Sequence, residues 1–344
     1  MGSMVAIGVD THKAEHVAVA CDRLGRELGS MALPATSAGY LALAGWARAL
    51  GEPVFAVEGG GSYGAGLVRF LAAAGEAVYE CERPARRGRG RGKSDLIDAA
   101  LAARRLLAGE GLSRPRGGGR REDLRLLLLE RRGLVRAETA TRNQLQAVLV
   151  AAPAALRERL AGRRGERLLA ACARLRARAE QERVSVGVLG RLGRRAQALA
   201  AELAARDREL EALVEALVPE LLAECGVGPV CAAQLVVSCG DPARMRSEAS
   251  FAALAGTSPV EASSGPRRRH RLNRGGDRQL NRALHVIALA RVRHHRETAA
   301  YYRRLLASGK STREARRCVK RALARYFYHR LRELPQLAQA ADPT

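Results

Sequence analysis

The sequence predicts an α/β domain at the N-terminus, a long helical connector and a mainly α C-terminal domain, and three features carry that reading. Strand and helix signals alternate through residues 4–110, where apolar runs ending in an acid are separated by amphipathic segments. Between Tyr79 and Phe251 the chain holds no Phe, Tyr or Trp and is rich in Ala, Leu, Arg and Glu, a composition that favours helix over sheet. From Gly226 the pattern breaks into short helices joined by glycine turns, and basic residues accumulate. The resulting boundaries are 4–150 for the first domain, 151–219 for the connector, 220–333 for the C-terminal domain and 334–344 for a tail.

Within the first domain, 5–10 reads as an apolar strand ending in Asp10. Residues 16–21 and 26–33 are two further strands, the second weaker, and 41–50 is helical. Residues 54–58 form another apolar strand ending in an acid, Glu58. A helix over 67–74, a strand over 77–81 and a helix over 94–107 with Ser94 as N-cap complete the series. Such an order builds a mixed sheet covered by helices. A Gly/Arg loop over 84–93 precedes that last helix, and a second such stretch, "RPRGGGRRED", separates it from a long helical region. The helical region then runs from about 123 to 219, with breaks near Pro153 and at 162–165. Its second half carries Leu189, Leu192, Ala196, Leu199, Leu203, Arg206, Leu210, Leu213 and Leu217 in alternating steps of three and four. That register is a coiled-coil seam, expected to join two copies of the chain in preference to an intramolecular hairpin.

A hydrophobic fraction of 47% over 344 residues excludes a disordered chain. Lys and Arg number 59 against 35 Asp and Glu, a formal net charge of +24, so a polyanion is the leading partner. Arg dominates over Lys, and its planar fork suits phosphate oxygens and guanine edges. The seven Cys lack metal-ligand spacing and read as reduced, small core residues of a cytoplasmic protein. No apolar run approaches membrane-spanning length, and the start of the chain lacks a signal-peptide core.

Four acids are the first candidates for chemistry. Asp10 and Glu58 each end an apolar strand, where a buried carboxylate is costly without a cation. Asp95 and Asp98 stand three apart in the first turns of one helix and so face the same way. Converging carboxylates repel unless divalent metal neutralises them, and Mg²⁺ suits hard oxygen donors. Taken singly, each acid also fits a turn cap, a solvated charge or a helix-dipole partner. In the C-terminal domain, "ASSGPRRRHR" sets Ser263 and Ser264 just before Arg267, Arg268, Arg269 and Arg271. A serine hydroxyl becomes a nucleophile only beside a base, a cation field or a metal, and otherwise such a turn simply caps its own backbone. "CGVGPVCAAQL" reads as a helix-hairpin-helix turn in which Gly226 and Gly228 permit the tight backbone beside a phosphate. Arg274, Arg278 and Arg282 lie four apart along a helix and give a basic stripe, which also fits a solvated helix face. Tyr301 and Tyr302 read as packing or base-stacking residues, and no His is assigned to a metal.

The segments "IGVDTHK", "FAVEGGG" and "GKSDLIDA", in that order, resemble the DEDD insertion-sequence transposases, whose first domain is similar to RNase H/RuvC-type resolvases. The stretch from "GVGPVCAAQL" to "LNRALHVIALAR" is similar to that family's C-terminal domain, so the resemblance covers nearly the whole chain. It implies a recombinase guided by a structured RNA, with Asp10, Glu58, Asp95 and Asp98 as the metal-binding acids. The serine beside Gly265 is implied as nucleophile, with Ser264 favoured over Ser263. DNA, a guide RNA and further copies of the chain are the implied partners. Two other readings stand beside it, a RuvC-like Mg²⁺-dependent nuclease without a covalent intermediate and a non-catalytic architectural nucleic-acid-binding protein.

Overall fold

A computed structural model describes the chain except for residues 1–2, 82–93, 114, 116–118, 243–244, 262–269, 272, 274 and 340–344. The chain forms two compact units, Met1–Arg121 with Cys239–Ser250 and His329–Thr344, and Glu122–Ser238 with Phe251–Tyr328.

The first unit is built on β1 (Met4–Thr11), β2 (Glu15–Cys21), β3 (Glu27–Pro34), α1 (Ser37–Leu50), β4 (Glu52–Glu58), α2 (Ala65–Ala73), β5 (Ala77–Cys81), α3 (Asp95–Ala108) and β6 (Leu112–Ser113). The strands lie in the order β3-β2-β1-β4-β5-β6. β1, β2 and β3 pair antiparallel, β1, β4 and β5 pair parallel, and β6 returns antiparallel. Each parallel pair needs a crossover, which α1 and α2 supply. This is the RNase H/RuvC-like mixed sheet that the resemblance implies. The two-residue strand β6 is too short to show any periodicity in the sequence.

Alternation along β1 and β4 sorts the two faces of the sheet. Val5, Ile7, Val9, Phe55 and Val57 pack under α1 and α2 with Leu43, Leu67 and Leu71. On the other face Ala6, Val19 and Cys21 meet Ala99, Ala100 and Ala103 of α3, and Ala56 meets Ala102. The side chains on this second face are small for a reason. A Cβ placed on Gly8 would lie 2.0 Å from the Ala99 carbonyl oxygen and 2.3 Å from the Ala103 nitrogen. The backbone of α3 therefore rests directly on β1, and it carries the acids of its first turn to the end of that strand. Gly8→Ala is expected to force the helix away and destabilise the unit by on the order of 3 kcal/mol, measured by denaturant unfolding. Unchanged stability would show that the contact is not tight.

The second unit is helical, with α4 (Arg120–Ala151), α5 (Ala154–Leu160), α6 (Gly165–Ala173), α7 (Arg183–Leu217), α8 (Pro219–Leu222) and α9 (Pro229–Cys239). It continues through α10 (Glu248–Leu254), the hairpin β7 (Val260–Glu261) and β8 (His270–Arg271), α11 (Arg278–His294), α12 (Arg296–Ala307) and α13 (Thr312–Arg332), while α14 (Pro335–Gln339) belongs to the first unit. The helix ends that cross between the units are α4, α9, α10 and α13. Leu189, Leu192 and Ala196, the start of the heptad stripe, are packed with Leu145, Leu156 and Leu169 of the same chain. Gly193 lets α7 approach α6 closely, since a Cβ there would meet the Leu169 carbonyl oxygen at 2.9 Å. Farther along, Arg131 of α4 is paired with Asp207 of α7 at 2.5 Å. The N-terminal part of the stripe is thus used for packing inside one chain, because α5 and α6 fold back onto it. Heptad spacing alone does not distinguish an internal partner helix from an external one. Among the described residues no helix is long and apolar enough to cross a membrane.

Candidate active site

The register of β1 against β4 places Val9 opposite Val57, so Asp10 and Glu58 follow side by side at the same end of the sheet. By alternation both share the face of Gly8 and Ala56, on which α3 lies. Both are buried, 5% and 8% exposed. The Thr11 hydroxyl donates to the Glu58 carbonyl oxygen at 2.7 Å and ties the two strand ends together. The glycine-rich segment after Glu58 is well anchored. Gly59 adopts a positive φ of 72°, its carbonyl accepts from Ser62 and Gly64, and the Gly61 N–H donates to Glu80 at 3.2 Å.

Ser94 stands at the N-cap of α3 without a side-chain capping bond, and Asp95 and Asp98 occupy the first turn, where the helix dipole favours negative charge. The imidazole of His12 bridges from the strand end to this helix. Its Nε2 lies 3.3 Å from Asp10 Oδ2 and 3.3 Å from Asp95 Oδ1. Donor atoms of Asp10, His12 and Asp95 all fall within 4.8 Å of one another, a spacing compatible with one divalent cation. Asp98, one turn along α3, acts on Asp10 through its charge. Glu58 flanks the group from the neighbouring strand. Asp10 forms the floor, while the His12 and Asp95 side chains, 48% and 47% exposed, form an open rim.

Burial raises the pKa of Asp10 above its ordinary value, the nearby His12 opposes that rise, and the charges of Asp95 and Asp98 add to it. Positive charge beside such a carboxylate favours its ionised form. His16, fully buried on β2 and stacked on Tyr40, is held below its ordinary pKa mainly by that burial. His12 was not among the residues assigned to the site from the sequence. A signal for it existed: in an extended chain the second residue after Asp10 returns to the same side, so Asp-x-His at a strand end presents both groups together. The oxygen-rich donor set fits a hard divalent ion, with one imidazole as a softer addition.

Residues 7–152 match a family described as a transposase, of the DEDD type found in IS110, and residues 220–303 match the transposase IS116/IS110/IS902 family. The chain belongs to the IS110 family of transposases. The Streptomyces coelicolor protein described as "Insertion element IS110 uncharacterized 43.6 kDa protein" is 37% identical over 114 residues, covering 32% of this chain and 28% of that protein. The matched stretch is thus little more than a quarter of the relative's length.

In the second unit, Ser263, Ser264, Arg267, Arg268, Arg269 and Arg274 lie outside the described residues. Their frame is described. β7 and β8 pair through Val260–Arg271 and Glu261–His270, so both ends of the serine-bearing segment start from one hairpin. On either side of the hairpin in sequence, the Asp277 N–H donates to the Leu254 carbonyl at 2.6 Å, and the Asn281 amide donates to the Ala255 carbonyl at 2.6 Å. Lys320 in turn donates to Asn281 Oδ1 at 2.5 Å. These bonds join the end of α10 to the start of α11, and α11 to α13.

The basic stripe expected over Arg274, Arg278 and Arg282 is shorter than the spacing suggests. Asp277 caps α11, accepting from Gln279 and Leu280 N–H, so the helix starts at Arg278 and position 274 precedes it. Arg278 and Arg282 are exposed on the helix. Gly226, at φ 80°, lies where a Cβ would meet Ala290 at 2.9 Å, so it serves the approach to α11, whereas nothing crowds Gly228 at the start of α9. All seven cysteines are free, and Cys239, buried at the end of α9, has its thiol pushed up to about 12 by that burial.

Proposed function

We propose that this protein is an RNA-guided DNA recombinase that cuts DNA strands and rejoins them through a serine nucleophile, in the cytoplasm and as a homo-oligomer. The observation that carries the reading is the meeting of Asp10, His12 and Asp95 at one end of an RNase H-like sheet, with Glu58 and Asp98 beside them, in a chain of this transposase family. Asp10, Glu58, Asp95 and Asp98 would hold Mg²⁺, with His12 orienting the carboxylates of Asp10 and Asp95. Bound there, divalent ions would supply Lewis-acid stabilisation of the oxygens of a phosphoryl displacement.

The chain's own residues do the rest. Arg267, Arg268, Arg269 and Arg271 hold the scissile phosphate and offset the charge that develops on it. The Ser264 hydroxyl attacks phosphorus, losing its proton, and the bond to the leaving strand oxygen breaks as that oxygen takes up a proton. The phosphoserine link is then attacked by the hydroxyl of the partner strand, which restores serine and seals the new phosphodiester. Arg278 and Arg282 on α11, with Arg274 and the turn at Gly228, add contacts to phosphate.

The test is a joining reaction with purified protein, donor and target DNA, and RNA transcribed from the flanks of its insertion element. Joined DNA is expected only when both RNA and Mg²⁺ are present. Joining of equal yield without RNA would remove the guide from the account.

A further inference from the structure

We propose that the groove between α11, α12 and α13 in the second unit receives one unstacked nucleobase from a single-stranded stretch of nucleic acid. The proposal rests on the reading of this chain as a nucleic-acid enzyme and adds a binding site to it. The groove has a volume of about 560 Å³, within the range of sites that enclose small planar ligands and far too small for a duplex. Val319, Ala322 and Leu323 of α13 give it an apolar floor, and Tyr301 and Tyr326 stand at its sides.

Tyr326 is a stacking platform set in advance. Its hydroxyl donates to Glu224 Oε1 at 2.5 Å, and the Arg291 guanidinium lies 4.8 Å from its ring centroid. Arg291 is itself fixed, donating to Glu224 Oε2 at 2.7 Å and to the Cys225 carbonyl at 2.8 Å. Arg291 is only 5% exposed, yet Tyr326 remains 39% exposed. A ring held this way loses little freedom when a base stacks on it. The rim carries the polar groups that a nucleotide needs. Arg304, 6.0 Å from the Tyr301 centroid, can meet a phosphate, and the exposed Glu297 can accept from the N–H edge of a base. His295 accepts the Thr298 N–H at Nδ1, which leaves Nε2 as a donor.

The choice of nucleic acid over another aromatic ligand comes from charge. Residues 278–332 carry many Arg and Lys against only Glu297 and Glu314, a field suited to a polyanion. Paired bases are closed to such a groove, so its occupant comes from a single strand, either RNA or the displaced strand of DNA. Base stacking on aromatic side chains is the usual means by which proteins hold single strands.

The test uses labelled single strands of about 12 nucleotides, as RNA and as DNA of the same sequence, and the corresponding DNA duplex. Fluorescence anisotropy is read at one fixed salt concentration. Tyr326→Ala is expected to weaken single-strand binding by about fivefold or more, with duplex affinity changed by less than about twofold. Tyr326→Phe should weaken single-strand binding less than Tyr326→Ala does, since it keeps the stacking ring and loses only the Glu224 bond that fixes it. Ala322→Phe, which fills the groove without removing the Tyr326 network, should reproduce the loss and guards against a folding defect in the first variant. A larger loss on RNA assigns the site to the guide, and a larger loss on DNA assigns it to the displaced strand. Equal losses on single strand and duplex, or no loss in either variant, would overturn the proposal. If the parent protein bound none of the three probes, the nucleic-acid reading itself would fail.

Discussion

Asp10→Asn is expected to remove strand cleavage and joining, by about 10²–10⁴-fold, while leaving affinity for nucleic acid within about twofold. The amide keeps the shape of the carboxylate and removes its charge from the buried floor of the site. The basic second unit, which would supply phosphate contacts, is untouched. Stability should move the other way. In the metal-free protein, burial and the charges of Asp95 and Asp98 raise the pKa of Asp10 in the fold above 3.8, so its ionised form opposes folding. The folded state therefore holds the proton more tightly than the unfolded chain does. Stability contributed by this group is present below about pH 3.8, is lost as pH rises from there to the raised folded value, and stays lost above it. At neutral pH without metal, Asp10→Asn should melt above the parent, and saturating Mg²⁺ should reverse that order by stabilising the parent alone. A thermal melt of both proteins with and without Mg²⁺ decides it. A variant that melted lower in both conditions would show that Asp10 is a structural acid.

Ser264→Ala should abolish both joined DNA and the covalent protein–DNA adduct, and Ser263→Ala should leave both. No other group proposed here can form the phosphoserine link, so the loss should reach the detection limit. Metal binding in the first unit should be unaffected, because Ser264 does not belong to that unit. Adduct capture on a denaturing gel is the measurement. A Ser264→Ala protein that still nicked DNA, with Mg²⁺ and no adduct, would point to a nuclease that activates water. A protein with no Mg²⁺-dependent cleavage in any form would leave only an architectural role.

Much of the first unit was legible in the sequence, because its elements follow simple local patterns. Apolar runs closed by Asp10 and Glu58 are β1 and β4, and Ser94 with two acids behind it marks the start of α3. Register was less visible but followed from the topology: parallel strands joined by helices bring their C-terminal ends together. What escaped were tertiary facts. Gly8 looks like any glycine in a strand until α3 is laid on it. His12 stands beside Lys13 in the sequence and gives no sign of Asp95, which lies far along the chain.

In the second unit, period without context leaves the partner of a helix open. The heptads of α7 are real, and their first residues are buried by α5 and α6. The spacing of Arg274, Arg278 and Arg282 suggests one helix, although Asp277 is an N-cap residue that starts the helix after position 274. The Tyr326–Arg291–Glu224 network joins three distant segments and leaves no local trace.

The proposed chemistry requires a cation seated among Asp10, Asp95 and their neighbours. Crystals soaked in Mn²⁺, with diffraction collected at a wavelength where manganese scatters anomalously, would locate it. A peak is expected within coordinating distance of the Asp10 and Asp95 carboxylates, absent from Asp10→Asn crystals treated alike. Manganese bound only elsewhere, or a peak that persisted unchanged in the variant, would contradict it.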